Sequence, residues 1–496
     1  MHWSRRRYGW LLVGALGLHA LLAVALPISG DEAYYWDCSR HPEWATFDQP
    51  ALVIWAMIPF RAMLGETSLA VRAPALLASL GIGLILLPLM RRLGGAEREA
   101  AHAYLLLHAT PLFFLGSFYA STDVAMVAAM LGATWAAAAI VQGERRAWWG
   151  FGAALGLGFL AKFPAVLAAA ALPPLLASRN VRRDLRSPTP YLAGVLSLAL
   201  TAPVWIWAVQ HNWDNFVFQL DGRHDGGPLT VRWLLEYWLA TLGLATPTLG
   251  VVMVARWWQE VRQRTTVGWV IASVMLAPMA VFSIAALTEP VAAHWSAPTI
   301  VLGCVLLALR GVGRRSVLAG AAFGLTIALG AAAVVAFADP LATWLAVPEV
   351  RLYRKQSTLF GSLVGNEEIT AGIANHLEPG ELVASESYTS VHLFAYLSGG
   401  HLPTRLARLT GGKHGLASLY WYSPASLRGR DVLFVTEFPR KIGPRLEPLF
   451  GSVAVAGELV VRRGNAEARR VTLFRCRDLR APEGVFTRVQ EAGSEM

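Results

Sequence analysis

The stretch Ser29 to Pro50 reads SGDEAYYWDCSRHPEWATFDQP and directly follows an apolar run from Trp10 to Pro27. A helix crosses the hydrocarbon core of a bilayer with about 20 apolar residues, and this run is preceded by Arg5, Arg6 and Arg7, the kind of cluster that anchors a cytoplasmic end. A cleaved leader opens in the same way. Here, however, similar runs follow one another rather than a soluble domain, so the first run reads as a retained span. The chain therefore emerges from a membrane and at once presents Asp31, Glu32, Asp37, Arg40, His41, Glu43 and Asp48 among aromatic rings.

Composition agrees with that placement. Of 496 residues, 55% are hydrophobic and only 15% charged, too apolar for an ordinary soluble protein. The formal charge of +10 falls in short basic clusters between apolar runs, which is a topology signal rather than a nucleic-acid footprint. No nucleic-acid partner is expected; the membrane lipid is. Apolar runs at 10–27, 69–90, 101–118, 122–141, 147–161, 164–178, 189–209, 233–255, 267–287, 294–310 and 316–337 predict about eleven spans. Under this count the clusters Arg5–Arg7, Arg91/Arg92/Arg98, Arg145/Arg146, Arg179–Arg186, Arg256–Arg264 and Arg310–Arg315 share one face, read as cytoplasmic. The runs 147–161 and 164–178 are short and meet at Lys162 and Pro164, as a broken or re-entrant pair would.

The opposite face receives the acidic-aromatic stretch, the Tyr119–Asp123 turn, residues 211–228, residues 288–295 and everything after about 338. The expected division is a transmembrane domain over 1–340, with its first extracytoplasmic loop at 28–68, and an extracytoplasmic α/β domain over 341–496. Within the latter, ELVASES (381–387) and DVLFVTEF (431–438) read as buried strands, SVHLFAYLSG as a helix, and VAVAGELVVRR (453–463) with RRVTLFRC (469–476) as a closing strand pair. Cys38 and Cys476 lie on one side of the membrane and Cys304 inside a span, so at most one disulfide is available and free thiols are the plainer reading.

Several residues stand out chemically. Asp31 and Glu32 fall at the membrane surface, where a carboxylate meets lipid headgroups; if residues 31–43 are helical, Asp31, Tyr34, Tyr35 and Cys38 share a face. The plain structural account is a helix start with Gly30 and Asp31 as cap and dipole charge. Lys162 within GLGFLAKFPAV costs roughly 2.5–3.5 kcal/mol at a helix centre, so it either snorkels or faces a cavity that takes an anionic phosphate. Asp123 opens a span, where it complements the helix dipole, and Arg72 opens another. The loop 211–228 holds His211, Asp214, Asp221, Arg223, His224 and Asp225, and His294 and Glu289 form a weaker pair; solvated surface is the default for all of these. No Walker loop, dinucleotide fingerprint, HExxH, paired CxxC or GxSxG is present. An enzyme with its polar groups outside the cytoplasm then needs an activated substrate carried by lipid.

These segments resemble the integral-membrane glycosyltransferases of the C-type fold, in particular the protein mannosyltransferase and lipid A aminoarabinose transferase group. The resemblance rests on GDEAYYW (30–36), FDQPALVIW (47–55), LAVRAPALL (69–77), STDVAM (121–126), GLGFLAKFPAVL (156–167) and PVWIWAVQHNWDNFVFQLDGRH (203–224), and SESYTSVHLFAYLSGGHLP (385–403) looks like the outer domain of bacterial members. It implies a polytopic α-helical membrane protein with a C-terminal extracytoplasmic α/β domain that moves a sugar from a polyprenyl-phosphate donor to a glycolipid or glycan acceptor. The first acidic residue after span one, Asp31, maps onto the general base, with Glu32 beside it; Asp123 and Lys162 map onto the family's further acidic and basic positions. One departure is that relatives carry EKPP or DHPP where this chain has Asp48-Gln49-Pro50-Ala51, which places it nearer the broad bacterial branch that includes galacturonic acid transferases.

In this frame Lys162, Arg72, Arg223 and His224 are candidates for the donor phosphate, and Tyr34, Tyr35, Asp48 and Gln49 for the sugar or acceptor. No cofactor is assigned with certainty; a divalent ion is a possible one, with Asp48 and His224 as weak candidates for its ligands. Location in a bacterial inner membrane follows, with the N-terminus cytoplasmic. A flippase of lipid-linked sugars, a protein O-glycosyltransferase and an O-antigen ligase or polymerase are the competing functions.

Overall fold

A computed structural model describes residues 4–222, 227–345 and 363–486. Its first part is a helical bundle. The helices α1 (Arg5–Ala25), α2 (Gly30–Arg40), α3 (Leu52–Leu64), α4 (Ser68–Arg92), α5 (Glu97–His108), α6 (Pro111–Gly116), α7 (Thr122–Val141) and α8 (Ala147–Ala161) follow in order. Longer helices at Thr189–Gln210, Val231–Ala245, Pro247–Gln263, Thr266–Ala285, Ala297–Arg310 and Arg314–Ala336 complete the bundle.

Every one of the eleven expected runs is largely helical, but among the described residues only seven helices are long and apolar enough to span unaided, with an eighth if one bent pair counts as a span. The difference lies in where the helices break. Run 101–118 divides at Thr110, whose hydroxyl caps α6 by accepting from the Phe113 amide. Run 233–255 bends by 100° around Thr246, which has a φ of 65°. Run 147–161 is a helix of 15 residues that ends at the extended Lys162, and the next run begins as a 3-10 turn, Phe163–Ala171. Pro164 contributes to this last break, since it has no amide to give the Leu160 carbonyl four residues back and its ring crowds that carbonyl, while it is tolerated in the first turn of the element that follows.

The bundle turns apolar side chains outward as well as inward. Leu21, Leu198 and Val209 are each more than 60% exposed on spanning helices, a surface suited to lipid. At one end the basic clusters engage acids between helices: Arg92 with Glu144, Arg145 with Asp184 and Arg310 with Glu260. The loop 28–68 is itself mostly helical, because α2 and α3 lie within it.

Beyond the bundle sits a five-stranded mixed sheet of order β2-β1-β3-β5-β4, with β1 (Leu382–Ser385), β2 (Thr404–Leu406), β3 (Val432–Thr436), β4 (Phe450–Arg463) and β5 (Ala466–Leu479). β2, β1 and β3 run parallel, and β5 and β4 close the sheet antiparallel. Alternate residues of β1 and β3 enter different cores: Leu382, Ala384, Val432 and Phe434 pack with Ile442 and Leu446 on one face, Val383, Leu433 and Val435 with Ile373 and Phe394 on the other. A strand covered on both faces is apolar at every position, which is why 381–387 and 431–438 were readable. All three cysteines are buried free thiols.

Candidate active site

α2 begins with a reciprocal cap. The Ser29 hydroxyl accepts from the Glu32 amide at 3.2 Å and the Glu32 carboxylate accepts from the Ser29 amide at 3.0 Å, a capping box. The cap is thus Ser29, not the expected Gly30 and Asp31. Glu32 is wholly buried, and Arg72 of α4 donates to both its oxygens at 2.7 Å. The same guanidinium donates to the carbonyls of Ala23, Leu26 and Pro27 at 2.7–2.8 Å, and the Ala120 amide donates to Glu32 at 3.1 Å. Every face of this pair is spoken for. Arg72, expected at the donor phosphate, and Glu32, expected beside the base, instead tie α1, α2, α4 and the entry to α7 together.

Asp31 has the opposite surroundings. It is exposed, and its Oδ1 accepts a 2.6 Å hydrogen bond from the hydroxyl of Tyr388, in the sheet domain. Its Oδ2 lies 3.5 Å from the Tyr119 hydroxyl, which is in turn 2.9 Å from the Ser29 hydroxyl. Burial pushes both tyrosine hydroxyls well above their ordinary acidity range, and the Asp31 charge pushes them further. Both therefore remain protonated donors.

The second polar group forms where the helix break leaves Lys162 extended. Lys162 Nζ donates to Asp123 Oδ1 at 2.7 Å, and both side chains are less than a fifth exposed. His294 Nε2 approaches Asp123 Oδ2 to 3.9 Å from the start of another helix. Asp123 sits in the first turn of α7, where its amide donates to the cap Ser121. Lys162 thus neither snorkels alone nor stands bare, and His294, with a surface residue's default, joins it. Tyr35 answers to both groups: its hydroxyl is kept protonated by burial and by the charges of Asp123 and Asp31 together.

Gln49 organises this floor. Its amide nitrogen donates to the Tyr35 hydroxyl at 3.2 Å and its carbonyl accepts from Thr122 at 3.1 Å. Tyr34 is buried and gives its hydroxyl to Asp48, whose carboxylate also accepts from the Ala417 amide at 3.2 Å. Tyr34 and Asp48 therefore hold the sheet domain to the bundle rather than lining an open sugar site. Arg223 and His224 lie outside the described residues. Among the described residues, no group of three His, Cys, Asp or Glu side chains gathers as metal ligands would.

The sequence had no signal for Tyr388 or Tyr119 as partners of Asp31. A tyrosine three residues into SESYTSV looks like any residue at a helix start, and only the docking of the sheet domain brings it across.

A polytopic bundle joined to a small mixed-sheet domain is a fold this chain shares with a solved bacterial membrane protein. Residues 48–207 match the family model described as dolichyl-phosphate-mannose-protein mannosyltransferase. The whole architecture is similar to that of ArnT from Cupriavidus metallidurans bound to undecaprenyl phosphate, with a TM-score of 0.62 at 17% identity over 95% of this chain and 98% of that one. The apo form of the same protein is equally similar, with a TM-score of 0.62 at 17% identity over 94% and 98%. No curated protein matches the sequence.

Proposed function

We propose that the protein transfers a sugar from a polyprenyl-phosphate-linked donor to a glycolipid of the bacterial envelope, lipid A or its core being the favoured acceptor, on the outer face of the inner membrane. The carrying observation is the exposed Asp31 carboxylate, held by Tyr388 at 2.6 Å, with the Lys162–Asp123 pair acting on the same buried Tyr35 hydroxyl as Asp31. The similar ArnT structure holds undecaprenyl phosphate, a carrier of the class this chain would use.

In this reading Asp31 takes the proton of the acceptor hydroxyl as that oxygen attacks the anomeric carbon. The bond from that carbon to the phosphate oxygen breaks with its electron pair, leaving an inverted glycosidic bond and a polyprenyl phosphate. Lys162 has further N–H donors beyond the one given to Asp123, and these meet the charge that grows on the leaving phosphate. Asp123 and His294 keep that ammonium aimed. Arg223 and His224 are the remaining candidates for the phosphate; Arg72 and Glu32 act by holding the helices.

The test is mass spectrometry of envelope lipids from cells with the intact gene, with Asp31→Asn and with the gene removed. One sugar mass increment lost in both altered strains supports the reading and names the sugar. Removal of a general base costs about 100- to 10,000-fold in rate, so D31N should leave at most a trace of product. Intact glycans in D31N cells would overturn the base assignment, and intact glycans without the gene would overturn the transfer reading.

A further inference from the structure

The sheet domain meets Asp31 itself through Tyr388, and the packing around that contact is tight. Tyr388 starts the helix Tyr388–Leu397, capped by Ser387, and this helix lies along α2. Thr389 stands so close over Gly30 that no Cβ fits there. Three residues beyond Thr389, His392 Nδ1 lies 2.8 Å from Asp37 Oδ2, both side chains buried, and Arg40 donates to the Gly400 carbonyl at 3.2 Å. The Tyr388 ring meets the Tyr34 ring edge-on at 6.1 Å and lies against Gly415, where a Cβ would run into it. Its hydroxyl is thus delivered to Asp31 by a fixed helix pair rather than by a mobile side chain.

We infer that Tyr388 is a positioning residue for the Asp31 base, so that the sheet domain completes the catalytic centre instead of merely covering it. The inference rests on the proposed role of Asp31. An exposed carboxylate at a helix start turns freely about its last torsion and offers either oxygen to the acceptor. The Tyr388 hydrogen bond occupies Oδ1 at 2.6 Å and stops that rotation, leaving Oδ2, which the Tyr119 hydroxyl meets only at the long distance of 3.5 Å, as the proton acceptor. Because burial and the Asp31 charge keep the Tyr388 hydroxyl protonated, it orients the base without taking part in the proton transfer.

The variant Tyr388→Phe keeps the ring and its packing and removes only the hydroxyl. A hydrogen bond to a charged group contributes enough that its loss should slow transfer about 10- to 100-fold. Two quantities are measured on the full chain: the rate at which the sugar appears on envelope lipid in cells, and the affinity of the detergent-solubilised protein for undecaprenyl phosphate. The expected result is a slow Y388F protein with unchanged carrier affinity and unchanged thermal midpoint. A wild-type transfer rate overturns the inference. So does a parallel loss of rate, carrier affinity and thermal midpoint, which would make Tyr388 a docking contact; His392→Ala, which loosens the same helix pair and leaves the Tyr388 hydroxyl in place, shows what a docking defect looks like. D31N separates the two levels. If D31N is inactive and Y388F is normal, only the positioning role fails; if D31N still transfers sugar, the base assignment fails and takes this inference with it.

Discussion

Asp31 and Glu32 stand one position apart on α2, about 100° around its axis, and that rotation separates an exposed carboxylate from one sealed against Arg72. Both were legible as an acidic pair at a membrane edge, but nothing in the letters D and E says which one turns inward. The same holds for Arg72, a cation at the start of a span until the carbonyls of α1 are seen to occupy it. Removing one partner of a buried ion pair strands the other's charge and costs about 3–5 kcal/mol. Glu32→Gln should therefore lower the thermal midpoint and the yield of folded protein, whereas D31N should leave both near wild type and lose transfer. Replacing the pair together, Glu32→Leu with Arg72→Met, should recover little of that stability, since the Ala23, Leu26 and Pro27 carbonyls and the Ser29 and Ala120 amides would then lose their partners. Melting curves of the purified variants decide this.

At the scale of elements, the departures from eleven uniform spans occur where specific residues interrupt the backbone ladder. The break at Lys162–Pro164 was visible as chemistry, because proline has no amide to give; the bend at Thr246 was not, because the residue that takes the left-handed φ carries no glycine signature. Close helix packing was equally hidden. Gly152 and Gly156 of α8 face the helix Thr189–Gln210, and an added Cβ at Gly152 would strike the Ala193 carbonyl, one at Gly156 the Ser197 carbonyl and the Leu200 side chain. Small residues four apart let two helices approach to backbone contact. Gly152→Val should force this pair apart and lower the thermal midpoint, whereas a valine at Gly14 of α1, where nothing lies within 4 Å, should be tolerated. Comparing the two purified variants tests the packing.

For the whole molecule, the contact that matters is the one between bundle and sheet domain. Burial pushes the Asp37 carboxyl up, but the hydrogen bond and charge of His392, with the charges of His41 and Arg40, outweigh it and hold the group below its ordinary value of 3.8. Burial keeps His41 below its ordinary value of 6.5 despite its bond to the Asp37 carbonyl, and its ring stacks on Trp421 of the sheet domain at 4.0 Å. The signs agree. A histidine with a lowered folded pKa contributes fully above pH 6.5 and loses that contribution as pH falls below it, since the unfolded chain takes the proton first. A carboxylate with a depressed pKa contributes above 3.8 and loses it as pH falls through the folded value. Acid should thus loosen the docked domain: the thermal midpoint should fall between pH 7.5 and 5.5, and His41→Phe, which keeps a stacking ring without a titrating group, should flatten that slope.

The sequence by itself determined the membrane class, the positions of the apolar runs, the strands of the sheet domain and the candidates Asp31, Asp123 and Lys162. These depend on local quantities: run length, periodicity, and an ionisable group where one is costly. The tertiary structure decided that Arg72 and Glu32 bind each other, that Tyr34 and Asp48 fasten two domains, that His294 joins Asp123, and that a tyrosine 357 residues along the chain holds Asp31. Those pairings depend on which face of a helix turns toward which neighbour. That is settled when the bundle and the sheet domain pack, because a buried charge or hydroxyl has to find its partner there.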